Sequence, residues 1–235
     1  MTDAEGLRFR TPVDAALRYA QRGWPVVPVF TVDQAGRCSC GKEGCTNQGK
    51  HPRAQRGFRD GTTSPSIIKR HWRQDANVGI CTGRSAGIWV LDVDPQHDGD
   101  TSLARLLERH GDLPVTVESR TGRGGRHLYF RYPEDREVRN SVGKIAAGLD
   151  VRSDRGGVVA PPSRHISGRR YEWAPGRSPD DVEVADAPAW IFEELDTADR
   201  RRREARAVPP RGGTAEPASA VDANSSRIEI GRAHV

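Results

Sequence analysis

Three aspartates hold much of the chemistry this sequence offers. The segment Ile88-Trp89-Val90-Leu91-Asp92-Val93-Asp94-Pro95 is an apolar run ending in two acids two residues apart. On a strand, side chains alternate, so Asp92 and Asp94 share a face while Val93 enters the core. Like charges a few ångströms apart repel, and a bound divalent cation relieves that cost. Mg2+ and Mn2+ take hard oxygen ligands of this kind. Read alone, such a pair is more often a solvated strand end. A calcium loop starting at Asp94 is excluded, because its twelfth position is Arg105 where that loop requires Glu. A third acid, Asp150, stands in Gly148-Leu149-Asp150-Val151-Arg152; by itself it reads as a surface acid paired with Arg152. The glycines of Gly156-Gly157-Val158-Val159-Ala160-Pro161-Pro162-Ser163 would let backbone amides approach a phosphate or a base.

Between these acids, Ser119-Arg120-Thr121-Gly122-Arg123-Gly124-Gly125-Arg126-His127-Leu128-Tyr129-Phe130 runs from a basic, Gly-rich loop into an apolar strand headed by His127. Such a loop can wrap a triphosphate, with Arg and His supplying donors and charge; it reads equally as a plain hairpin connection. A separate constellation, Cys38-x-Cys40-x4-Cys45-x5-His51, offers three thiolates and an imidazole, the closed tetrahedral set of structural zinc. Gly36, Gly41, Gly44 and Gly49 permit the tight turns these spacings require. Lys42, Lys50 and Arg53 would make the zinc loop a basic surface for nucleic-acid phosphates, contacts that position a strand without reading it. The fourth cysteine, Cys81, lies in an apolar run and is expected to be a small buried hydrophobe.

The elements that must hold these residues are punctuated clearly. Thr11 as N-cap, Pro12 at the first helical position and Asp14 near the positive end open a helix. Its apolar face is Val13, Ala16, Leu17 and Ala20, and Gly23 stops it. A buried strand is expected over 24–30, then a long functional loop over 33–61. A second helix from Ser64-Pro65 carries Ile67, Ile68 and Trp72, and a third spans 101–110. Strands are expected over 78–82, 87–94, 115–119, 127–132, 148–152, 157–160 and 170–173, and a closing helix from Ala189 to about Glu204. Short strands mixed with few helices predict an α+β domain.

The 235 residues suit one domain and a tail, and the net charge of +5 is compatible with a polyanionic partner. No run approaches the roughly 20 apolar residues of a membrane span, and residues 1–10 lack a secretory apolar region. A cytoplasmic location without membrane partners is therefore expected, and in that reducing setting the cysteine cluster indicates metal rather than disulfides. No Gly-x4-Gly-Lys-Ser/Thr loop occurs, so no ATPase of that type is encoded in this segment. After Arg206 the composition turns to Pro, Gly, Ala and Ser, predicting a linker or disordered tail over 207–235. Residues 229–235 match one reading frame of a common sequencing adapter and are expected to be an assembly artefact.

Taken in order, Asn77-Val78-Gly79-Ile80, Thr82-Gly83-Arg84, Leu91-Asp92-Val93-Asp94, Gly124-Gly125-Arg126-His127-Leu128-Tyr129-Phe130, Gly148-Leu149-Asp150-Val151-Arg152 and Val159-Ala160-Pro161-Pro162-Ser163 resemble the bifunctional DNA primase/polymerase family of the archaeo-eukaryotic primase superfamily. The resemblance runs from about residue 12 to about 176. It implies a primase-type fold, mixed or antiparallel sheets flanked by helices with a zinc-binding loop insertion, and a catalytic domain over 8–196, with 197–206 ending the closing helix. It makes Asp92, Asp94 and Asp150 catalytic ligands of Mg2+ or Mn2+ and His127 a contact of the incoming nucleotide's phosphates, with Gly124, Gly125, Arg126 and Arg152 around it. Nucleoside triphosphates and a single-stranded DNA template become the expected partners, with a helicase domain or subunit in the full-length protein. Two-metal nucleotidyl transfer in replication of a phage, plasmid or other mobile element follows. A metal-dependent nuclease using the same acids, or a zinc-stabilised DNA-binding module without catalysis, are the alternatives. Here Arg123 intervenes before Gly124-Gly125, where the family commonly has a run of small residues.

Overall fold

The computed structural model describes residues 11–73 and 75–207. The first helix, α1 (Pro12–Gln21), starts where its cap predicts: Thr11 Oγ1 accepts the Asp14 N–H at 3.1 Å. Strand β1 (Val26–Val29) leads into the long loop, which contains one 3-10 turn, Gly57–Asp60, before α2 (Pro65–His71). Next come β2 (Asn77–Cys81), β3 (Ile88–Val93), α3 (Gly99–His110), β4 (Glu118–Arg120) and β5 (Arg126–Arg131). The chain continues through β6 (Leu149–Arg152), β7 (Gly157–Ala160), β8 (Glu172–Trp173) and α4 (Ala189–Ala207). The start of the expected domain at residue 8 and the tail from 208 lie outside the described residues.

The strands form two antiparallel sheets, β1-β2-β7 and β6-β3-β5-β4-β8. Strand alternation divides the core between them. Val26, Val78, Ile80 and Ala160 face α1 and α2, in one cluster with Ile88, Val90 and Tyr129 of the larger sheet. Trp89, Leu91, Val93, Leu128, Phe130, Leu149 and Val151, on the opposite face of that sheet, pack with Leu103 and Leu106 of α3 and Ile191 and Leu195 of α4. This is the expected α+β architecture. In the short α2, Ile68 and Trp72 are buried and Ile67 is exposed, because only a narrow stripe turns inward. One expectation fails locally. Val115 is also exposed: the strand expected over 115–119 begins at Glu118, beyond Pro114, although Val117 is buried.

The end of β3 is fixed by backbone rather than side chains. Asp94 N–H donates to the Gly148 carbonyl at 2.8 Å, and Gly99 N–H donates to the Asp94 carbonyl at 2.9 Å. A Cβ on Gly148 (φ +69°) would stand 2.5 Å from Gly99 N and 2.7 Å from Asp94 O. Gly87 (φ +66°) has the same conformation with open space around it. Gly87→Ala should therefore cost only the left-handed penalty, about 1–2 kcal/mol, and Gly148→Ala clearly more because backbone must move. Thermal melts of the two variants check this; equal losses would show that the backbone junction is not tightly packed.

Candidate active site

Register and alternation together build the site. Asp92 of β3 lies opposite Asp150 of β6 on one side and His127 of β5 on the other, and His127 lies opposite Ser119 of β4. Neighbouring residues Val93, Leu128 and Val151 enter the second core, so Asp92, His127, Asp150 and Arg152 project from the other face. They line a cavity of about 310 Å³ that also takes in Asp94. Beyond the end of β3, Asp94 turns to cap the next turn, accepting from Gln96 N–H at 2.9 Å and pairing with His97 Nδ1 at 2.8 Å. The structure thus brings all three expected acids and His127 into one cavity.

The acids do not face one another bare. Arg152 Nη2 lies 2.7 Å from Asp150 Oδ2 and 3.3 Å from Asp92 Oδ2, and Gly143 N–H donates to Asp150 Oδ1 at 2.8 Å. The pairing of Asp150 with Arg152 read from sequence is present, and Arg152 spans Asp92 as well. Burial pulls the His127 imidazole pKa down; Asp92, whose Oδ1 is 3.6 Å from Nε2, opposes this, while Arg152 and Lys50 add to it. His127 is therefore neutral, with Nδ1 3.4 Å from Ser119 Oγ. Burial works to raise the Asp94 pKa, but hydrogen bonds from His97 and Gln96 and the charges of His97 and Lys50 hold it below the usual value.

Several cavity residues escaped the sequence reading. Asn47, Lys50, His165 and Tyr171 line the same space, beside Thr121 and Arg123 of the Gly-rich loop already marked in the sequence. Lys50 was visible only as a flank of the cysteine cluster, and His165 follows directly on Pro161-Pro162-Ser163-Arg164. Burial first, then Lys50 and Arg123, push the His165 pKa down to about 4. One buried side chain ties the segments carrying Lys50 and His165 to β2. Asn77 Nδ2 donates to the carbonyls of Gly49 (3.0 Å) and Arg164 (2.8 Å), and Oδ1 accepts from Arg164 N–H (2.9 Å) and Thr31 Oγ1 (3.1 Å). With every donor and acceptor direction engaged, this amide fixes both loops.

Some expected contacts fall elsewhere. Arg126 does not join the cavity: alternation places it on the face opposite His127, where its guanidinium meets Glu118 at 2.8 and 3.2 Å. Gly124 N–H donates to Thr121 O and Gly125 N–H to Thr121 Oγ1, so both glycine amides are used inside the turn rather than presented to a phosphate. Gly125 does line the cavity, and a Cβ there would come 2.8 Å from Val93 O. In the second Gly-rich run, Gly156 N–H likewise closes a turn onto Ser153 O.

Beside this cavity, the ligand atoms of Cys38, Cys40, Cys45 and His51 all lie within 4.8 Å of one another. His51 Nε2 is 3.5 Å from both Cys38 Sγ and Cys45 Sγ. Burial, then Lys42, lowers the His51 pKa, favouring the neutral imidazole a metal requires. Three soft thiolates and one imidazole at this spacing form a group that could hold zinc. Cys81 stands apart, buried, its thiol pushed up to about 12 by burial and then Asp60.

Because Arg152 is the cation between Asp92 and Asp150, Arg152→Met should leave two facing carboxylates uncompensated. Breaking a buried pair costs more, but Arg152 keeps about a third of its exposure, so about 1–2 kcal/mol is expected. For a chain of this size that is a fall of roughly 2–8 °C in Tm without divalent cation. An unchanged Tm would show that solvent alone screens these acids.

No membrane-crossing helix is found, since none of the described helices is long and apolar enough. A search of curated proteins returns no match. The family model for the bifunctional DNA primase/polymerase N-terminal domain matches residues 16–190, from within α1 to the start of α4, taking in both sheets, all three acids and the cysteine cluster. The match suggests DNA primase/polymerase activity, with DNA and nucleotides as substrates. The chain belongs to the bifunctional DNA primase/polymerase N-terminal domain family of the primase superfamily.

Proposed function

We propose that the cavity bounded by Asp92, Asp94, Asp150 and His127 performs template-dependent nucleotidyl transfer. The row Asp150, Asp92, His127 across three adjacent strands, with Asp94 in the same cavity, carries this reading. The oxygen of a primer 3′-hydroxyl attacks the α-phosphorus of a nucleoside triphosphate and pyrophosphate leaves. The carboxylates suit hard divalent cations: they are oxygen donors converging on one cavity from a strand, its following turn and a neighbouring strand. Asp92, Asp94 and Asp150 would hold Mg2+ or Mn2+, which would supply activation of the attacking hydroxyl and charge neutralisation at the triphosphate.

The chain's own residues do the positioning. Lys50 and Arg123 bring positive charge to the cavity that holds the acids, where it can bind the phosphates as charge-assisted donors. His127, buried between Ser119 and Asp92, holds its ring at the cavity, where it would donate to the phosphates. Arg152 holds Asp92 and Asp150 in place. Gly125 closes the loop onto β3, so that the loop packs tightly behind the site.

The Cys38, Cys40, Cys45 and His51 group is assigned to structural zinc. Its function is to fold the loop that ends in Lys50 at the cavity. Freshly prepared reduced protein should contain one zinc per chain, released by a thiol-reactive mercurial. Cys45→Ser should lose the metal and expose residues 33–61 to protease while the carboxylate strands stay protected. Metal analysis that finds no zinc would remove the assignment.

Extension of a labelled primer on single-stranded DNA with Mg2+ or Mn2+ tests the activity: growth supports it, shortening indicates a nuclease, and no change indicates binding without catalysis. Asp92→Asn and Asp94→Asn should each abolish growth while the domain stays folded. His127→Ala should raise KM for nucleotide and lower kcat/KM about ten- to a hundred-fold, as expected for removing one charge-assisted hydrogen bond, with template affinity nearly unchanged. Near-normal extension by both aspartate variants would end the two-metal reading.

A further inference from the structure

Next to the catalytic cavity lies a larger open groove of about 1260 Å³ that the proposed chemistry does not use. The two spaces share one side chain, Phe58, which lines both. This half-buried residue sits on the 3-10 turn Gly57–Asp60, and its ring rests on the bare backbone of β2 and β7. A Cβ on Gly79 would come 2.8 Å from Phe58 Cε1, and one on Gly157 would overlap the ring outright. Two glycines on adjacent strands thus make a flat seat for one aromatic ring, whose remaining surface borders both spaces.

Beyond Phe58 the groove is lined by Arg59, Arg84, Arg139 and Arg155. Its acids are largely engaged. Asp154 accepts from Arg84 N–H (2.9 Å) and Tyr132 Oη (2.7 Å), and Glu137 pairs with Arg139 (2.7 Å). The Arg84 guanidinium lies over the Tyr132 ring at 4.9 Å and donates to the Arg136 carbonyl, both uncharged partners, so it keeps its charge in the groove. Arg59 and Arg155 are exposed, and no ion pair joins either to another described residue. Arg155 also has φ +63° in the turn between β6 and β7, a position where Gly or Asn is ordinarily found. A long cation held in that conformation, facing the groove, indicates a use for its charge rather than for its backbone.

We infer that this groove carries the single-stranded DNA template, with a base stacked on Phe58 beside the nucleotide and backbone phosphates on Arg59, Arg84 and Arg155. A cationic channel combined with an aromatic platform is the chemistry that binds single strands without sequence preference. The inference rests on the proposed catalytic cavity for its direction: Phe58 is where a templating base would meet an incoming nucleotide. No base edge is read, so specificity comes from pairing with the nucleotide.

Fluorescence anisotropy of a labelled oligo-dT, titrated against the full chain at several salt concentrations, tests the track. Arg59→Ala with Arg155→Ala should weaken binding and lower the slope of log affinity against log salt by roughly 0.7 for each phosphate set free. Phe58→Leu keeps an apolar filler over Gly79 and Gly157 but removes the ring; it should weaken binding about ten-fold and leave the salt slope unchanged. Melting curves confirm that each variant is folded. If folded variants keep wild-type affinity and slope, the groove is not the template track, whatever the wild type does in primer extension. If binding falls as stated but the wild type extends no primer, the track stands and the catalytic reading fails.

Discussion

Negative charge gathered on one sheet face sets the terms for the rest of this molecule. Antiparallel pairing of β6, β3 and β5 puts Asp150, Asp92 and His127 side by side, and backbone bonds through Gly148 and Gly99 bring Asp94 to the same cavity. Carboxylates this close are costly unless cations share the space. Arg152 meets that need from within the row, and Lys50 and Arg123 approach from loops. On the opposite face of the same strands, Leu91, Val93, Leu128, Leu149 and Val151 pack on α3 and α4, and this apolar packing backs the row, with only Arg126 at its end paired to Glu118.

The loops that complete the cavity depend on a single neutral hub. Asn77 is 2 % exposed and satisfies carbonyl and amide groups from two segments far apart in sequence. Removing one partner of such a network leaves buried polar groups unpaired, which costs more than the bonds are worth individually. Through Asn77, the central strand of the smaller sheet controls where Lys50 and His165 stand. The cysteine cluster acts on the same segment from its other end, because His51 directly follows Lys50.

The two sheets divide the work. The larger sheet presents the acids and His127, while the smaller one supplies a platform whose glycines, Gly79 and Gly157, admit an aromatic ring against the backbone. Family membership places the chain among DNA primase/polymerase domains. The geometry adds which side chains share each cavity and which, like Arg126, are turned away.

Local sequence determined much of this. The caps of α1, the alternation that sends Val93 inward and Asp92 outward, the spacing of Cys38, Cys40, Cys45 and His51, and the acidic and Gly-rich motifs in order were all legible, because each depends on neighbours within a few residues. Contacts made across the chain were not. Lys50 and His165 enter the cavity because Asn77 holds their backbones, Arg152 bridges two acids because β6 lies beside β3, and Arg126 leaves the site because strand parity assigns it to the far face. The loop before β5 was expected to wrap a triphosphate, but the amides of its Gly124 and Gly125 both bond to Thr121. Composition shows that a loop can bend; only the folded turn decides which of its N–H groups remain free, since closing the turn brings some donors onto its own acceptors and leaves others outside.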